Sequence, residues 1–144
     1  MRSRACYSTE VTETDEFLEL SLGARALYFH LLPEADGSGH VIGIRRAARG
    51  VGLLDMLPEL YESGYLLDVD GECYITHEWV NNKYDGRVWE RAMTKCEPFK
   101  AGRLSFAGEE GKSAYVLVEP AATPERRQSD AEQELERERH WNGT

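Results

Sequence analysis

Between Val41 and Trp79 the chain passes through an arginine-rich helix, a glycine turn, a second apolar-periodic helix and two β-prone runs around Asp70-Gly71. That order predicts an α+β fold, a winged helix-turn-helix, and the residues beyond it predict a C-terminal helix and hairpin extension. In Gly43 to Gly50, Ile44, Ala47 and Ala48 fall on one side at the i, i+3, i+4 spacing, which leaves Arg45, Arg46 and Arg49 on the other. Gly50-Val51-Gly52 supplies the turn. In Leu53 to Ser63, apolar Leu53, Met56, Leu57, Leu60 and Tyr61 recur at helical spacing, and Gly64 stands where a left-handed C-cap belongs. Tyr65 to Val69 and Glu72 to His77 then flank Asp70-Gly71, a pair that tolerates positive φ at both turn positions and so predicts a hairpin, the wing.

Upstream, Met1 to Thr12 reads either as a disordered lead or as a strand through Tyr7 to Val11. Thr12 to Asp15 offers capping side chains to a single helical turn through Glu16-Phe17-Leu18, and Ser21 can cap the next helix. Leu22, Ala26, Leu27, Phe29, His30, Leu31 and Leu32 are too apolar a set for a surface, so Ala24 to Leu32 is expected to run through the core until Pro33. His30 lacks a Cys, Asp or His at helical partner spacing and is expected to be a hydrogen-bonded core residue rather than a metal ligand. Asp36 to His40 is a loop, and Val41-Ile42 a short strand that joins the wing. In the wing, Cys73, Ile75 and His77 project to one face and Tyr74 and Thr76 to the other. A zinc pair at Cys73 and His77 would need two further ligands, so packing is the expectation there; no metal and no cofactor are predicted.

Glu78 to Lys95 interleaves Trp79, Tyr84 and Trp89 with bases and the amides Asn81 and Asn82. Lys83, Arg87, Arg91 and Lys95 are spaced by four, which would place them on one helical face. Aromatic and basic side chains suit stacking and phosphate contact, while asparagine can read base edges. The competing expectation is that Trp79 and Trp89 seal the domain and the charges form a solvated helix face. Leu104 to Ala107 and Ala114 to Val118 predict a second hairpin. From Thr123 onward the chain is mostly charged, so residues 1–120 are expected to fold as one domain and 121–144 to form a disordered tail.

The 144 residues carry a net charge of −9, which rules out a generally basic nucleic-acid coat and confines any such contact to a local patch. Three cysteines without a C-x-x-C pair support neither a disulfide framework nor a zinc ribbon. No apolar run reaches a membrane span and the basic start lacks a signal-peptide core, so a cytoplasmic protein with no membrane partner is expected. No nucleophile and base pair, clustered ligand set or phosphate loop is visible, so the expected chain is not an enzyme.

Asp15-Glu16-Phe17-Leu18, Ala26 to Leu31, Ala35-Asp36, Gly39-His40-Val41 and Tyr74-Ile75-Thr76-His77-Glu78-Trp79 resemble, in order and spacing, the N-terminal module of phage replisome organisers, the DnaD-like initiators. The likeness continues through Val80 to Tyr84 and more weakly from Leu104 to Tyr115. It implies a winged helix-turn-helix that binds origin DNA, in proteins that often self-associate and whose separate C-terminal part recruits a helicase or its loader. The chain departs from the family where Asp85 and Gly86 dilute the usual basic run, and where an acidic tail stands in place of the helicase-recruiting part.

The leading expectation is thus a DNA-binding module of DNA replication, with duplex DNA as partner and self-association or a replication protein as further partners. Arg45, Arg46, Arg49, Asn81, Asn82, Lys83, Arg87, Arg91 and Lys95 are its expected contacts. The alternative is an acidic protein-interaction module that docks a basic or nucleic-acid-binding partner, which the net charge favours. Against the leading reading, Asp55, Glu59 and Glu62 place carboxylates on the second helix, where phosphates would lie.

Overall fold

The computed structural model describes residues 2, 4–83 and 87–119. The expected tail at 121–144 and Tyr84, Asp85 and Gly86 lie outside these residues. Within them the chain is mixed α and β with small antiparallel sheets.

Three short polar side chains start the first three helices. Ser8 accepts from the Glu10 amide to open α1 (Thr9–Thr12), Thr14 from Phe17 to open α2 (Asp15–Leu18), and Ser21 from Ala24 to open α3 (Leu22–Leu31). The end of the lead is thus a helical turn, Thr9–Thr12, where a strand through Tyr7 to Val11 is one of the two expectations. Each cap satisfies one of the amides that a helix start leaves unpaired. Pro33 ends α3 in a 3₁₀ turn, Leu32–Glu34.

β1 (His40–Val41) leads through Gly43, in the left-handed region at φ 68°, into α4 (Ile44–Gly50). The expected helix from Leu53 to Ser63 is divided into a 3₁₀ turn, Leu54–Met56, and a short α5 (Leu57–Glu62) with Pro58 in its first turn. Gly64 follows at φ 85°, as its C-cap position requires. β2 (Leu66–Val69) and β3 (Glu72–Ile75) meet through Asp70 and Gly71 at φ 53° and 88°, the two positive values that a tight hairpin turn needs. The sheet order is β1-β3-β2, all antiparallel, with Val41 opposite Cys73 and Leu66 opposite Ile75.

The single helix that the four-residue spacing from Lys83 to Lys95 implies is not formed among the described residues. α6 (Glu78–Asn81) stops after a single turn, and α7 (Val88–Met93) and α8 (Glu97–Lys100) follow as separate pieces. β4 (Leu104–Phe106) and β5 (Tyr115–Leu117) then form the second hairpin, close to its expected bounds.

Both faces of the three-stranded sheet are covered. Val41, Leu66, Cys73 and Ile75 pack with Phe17, Leu27, Tyr28, Leu31, Ala48, Leu57 and Leu60 in one core. Val69 and Tyr74 pack with Trp79, Met93, Cys96, Leu104 and Tyr115 in a second. The alternation read from the wing therefore holds, because side chains of opposite parity serve opposite cores. α3 departs from its expected central position: Ala24, Leu27, Tyr28 and Leu31 are buried, but Leu22, Phe29 and His30 are exposed. His30 is thus a surface residue. Among the described residues no helix is long and apolar enough to cross a membrane.

Candidate nucleic-acid interface

α4 carries the first set of expected contacts. Its buried side is small, with Ala48 fully enclosed and Ile44 and Ala47 half-buried against the first core. This pattern forces Arg45, Arg46 and Arg49 outward, and all three are exposed without an ion pair among the described residues. Arg45 also borders a groove of about 480 Å³ whose other walls include Leu54, Asp55, Tyr61, Asp68 and Gly71. The groove separates α4 from α5 and the hairpin tip.

α5 is differently charged. Asp55 and Glu62 are exposed, and Glu59 accepts from both the amide and the hydroxyl of Ser21 at 2.7 Å. Those two bonds hold the Glu59 carboxyl below the usual carboxylate range. Glu59 therefore braces α5 against the start of α3. At the hairpin tip, Asp68 accepts from the Gly71 amide, Arg103 contacts both Asp70 oxygens at 2.6 Å, and Glu72 meets the His40 ring at 2.8 Å. The partners of the tip carboxylates Asp70 and Glu72 thus come from elsewhere in the fold.

The second set of expected contacts is dispersed. Lys83 lies past the end of α6 and pairs with Glu10 at 2.8 Å. Arg87 precedes α7 and Arg91 sits one turn on, its amide bonded to the Arg87 carbonyl, while Lys95 lies beyond the helix. The four-residue spacing does not make one face, because no continuous helix joins these positions. α7, which carries Arg91, packs on the second core and α4 on the first, so these two helices lie against opposite faces of the sheet.

Asn81 and Asn82 are 4% and 5% exposed and spend their amides inside the fold. Asn81 accepts from the Ser8 amide at 2.9 Å and donates to the Tyr28 hydroxyl at 2.7 Å. Asn82 accepts from the Cys6 amide at 3.0 Å and donates to the Glu78 carbonyl at 3.1 Å. These bonds fasten the N-terminal arm to α6 and leave neither side chain for base edges. The tryptophans likewise serve packing. Trp79 is 1% exposed and donates to the Tyr115 hydroxyl, which itself donates to the Ser38 carbonyl, each at 2.7 Å. Trp89 meets Phe106 edge to face at 6.1 Å and lies so close over Gly111 that a Cβ there would enter its ring.

The arm itself was not legible as a structural part. Arg2 reaches Glu78, 0% exposed, through both terminal nitrogens at 2.9 and 3.3 Å, and donates to the Leu32 carbonyl at 2.7 Å. Burial raises the Glu78 carboxyl above its ordinary range even though the guanidinium opposes the shift. Burial also pushes the Cys73 thiol up to about 11, which keeps it protonated at neutral pH. No group of three or more His, Cys, Asp or Glu suited to a metal occurs among the described residues.

No protein-family model, curated protein or solved structure matches the chain.

Proposed function

We propose that the chain is a non-enzymatic winged helix-turn-helix that binds duplex DNA in the cytoplasm, serving DNA replication in the manner of the phage replisome organisers it resembles. The element order α3-β1-α4-α5-β2-β3 and the strand order β1-β3-β2 support the fold assignment. The observation that carries the DNA reading is the exposed triad Arg45, Arg46 and Arg49 on one helix, in a chain whose net charge is −9. Three guanidinium groups on two turns can address successive phosphates.

Electrostatics selects the side that approaches the duplex. Residues 53–72, which span α5 and the hairpin, contain Asp55, Glu59, Glu62, Asp68, Asp70 and Glu72 and no lysine or arginine. This stretch would repel phosphates, so α4 rather than α5 is the proposed contact and the hairpin tip is turned away. Asn81 and Asn82 leave the proposed interface, because their amides are engaged within the fold, and Lys83 is left out of it, since its exposed ammonium pairs with Glu10. The same acidic stretch favours the second reading, a module that docks a basic partner protein.

Fluorescence anisotropy on a labelled duplex, repeated across salt concentrations, separates the two. Phosphate binding predicts a log-log slope of about −0.9 for each phosphate contacted. Absence of salt-sensitive duplex binding would leave the acidic-module reading in its place.

A further inference from the structure

α3 has two apolar sides, and the fold covers one. Ala24, Leu27, Tyr28 and Leu31 enter the first core, whereas Leu22, Arg25, Ala26 and Phe29 share the opposite side at i, i+3, i+4 and i+7. With Tyr7 from the arm and Leu18 from α2, they wall a groove of about 320 Å³. The exposed fractions are large for such side chains: Leu22 75%, Tyr7 58%, Leu18 47% and Phe29 39%. The wall is also held in shape, since Phe29 meets Tyr7 and Phe17 edge to face at 5.2 and 5.9 Å. A formed apolar groove on a helix that could have carried polar residues is the mark of a docking surface.

Charge specifies its occupant. Around the groove the charge is negative. Glu13 forms part of the wall, Asp15 shares a face of α2 with Leu18, and Glu19 follows Leu18; all three are exposed without an ion pair among the described residues. A second copy of the chain would set rim against rim, carboxylate against carboxylate. A basic partner meets the same rim with opposite charge.

We propose that this groove receives a basic amphipathic helix of another protein, with leucine- or phenylalanine-type anchors between Leu18, Leu22 and Phe29 and cations toward Glu13, Asp15 and Glu19. The groove is built from α1 to α3 and the arm and includes none of the α4 arginines, so its occupancy and duplex binding are separate properties.

The probe is a labelled amphipathic helical peptide of leucine and lysine, titrated into the full chain alongside a leucine and glutamate peptide of identical apolar pattern. The lysine peptide should bind saturably and the glutamate peptide should not. Leu18→Asp and Leu22→Asp should each weaken the lysine peptide by at least about tenfold, as loss of a central anchor does. Each variant adds a negative charge, so purely electrostatic attraction would strengthen rather than weaken; both positions are solvent-exposed, and unchanged far-UV circular dichroism checks the fold. Unaltered binding by Leu22→Asp would overturn the proposal. So would sedimentation velocity that finds a wild-type dimer dissociated by the same substitution, because the occupant would then be a second copy.

Discussion

On one side of the β1-β3-β2 sheet, Leu27, Leu31, Leu57 and Leu60 interlock from helices whose apolar residues recur at three and four. On the other side, Tyr74, Trp79, Phe106 and Tyr115 meet from short pieces with no such recurrence. The first core is built from short-range helical patterns, although α3, apolar on two sides, leaves its choice of face to the fold. The second is specified at long range. Its central polar chain joins Trp79 to Tyr115 and Tyr115 to Ser38, residues 36 and 77 positions apart. The sheet belongs to both, with Ile75 turned to the first core and Tyr74 to the second. A hairpin that would be a free wing is thereby clamped between two layers.

The largest expected effect tests whether the two cores unfold as one unit. Leu27 is 0% exposed and Trp79 1%, so Leu27→Ala should cost about 2 to 5 kcal/mol and Trp79→Ala about 3 to 5 kcal/mol. Because the sheet is shared, Leu27→Ala in a Trp141→Phe background should shift the fluorescence midpoint of Trp79 and Trp89 as far as the far-UV midpoint in urea. Two separated transitions would show that the cores are independent.

A smaller effect probes the polar chain of the second core. Tyr115→Phe keeps the ring but removes the hydroxyl that accepts from the Trp79 indole N–H and donates to the Ser38 carbonyl, at a cost of about 1 to 3 kcal/mol. A loss below about half a kcal/mol in denaturant titration would mean that the chain positions Trp79 without stabilising it.

The smallest expected effect distinguishes the cores by acid. His77 lies beside the first-core residue Tyr65, and burial lowers its imidazole from the ordinary 6.5. A depressed folded value means that the unfolded chain binds the proton more readily. Stability from this group is therefore complete above about pH 6.5 and declines as pH falls through the folded value. His77→Phe should flatten the fall in denaturation midpoint between neutral and mildly acidic pH. An unchanged acid slope would place the sensitivity elsewhere.

What could be read in advance divides along the same line as the cores. Ser21 as a cap, Gly64 as a helix stop and Asp70-Gly71 as a hairpin turn are decided by backbone chemistry within a few residues, and each stands where the sequence puts it. Periodicity misled where it had no local arbiter. Lys83, Arg87, Arg91 and Lys95 imitate a helical stripe, yet α6 ends at Asn81, where the two amides turn inward to hold an arm more than 70 positions away. An asparagine gives no local sign of whether its partner is a distant amide or a base. The groove was legible in residue content and misplaced in space. The apolar content of Leu22 and Phe29 reads as core, whereas only the packing of the fold decides which side of α3 is left open. At α4 both levels agree, because Ile44, Ala47 and Ala48 leave the arginines no other side.

The central functional claim is that the layer holding α4, and not the layer holding α7, meets the duplex. Salt-dependent anisotropy should be measured for wild type, for Arg45→Ala combined with Arg46→Ala and Arg49→Ala, and for Arg87→Ala combined with Arg91→Ala. Thermal unfolding of each variant controls for folding. The account predicts that the triple variant loses about 0.9 of slope per phosphate contact removed and binds far more weakly, while the double variant keeps the wild-type slope. A double variant that loses binding while the triple variant retains it would contradict the account.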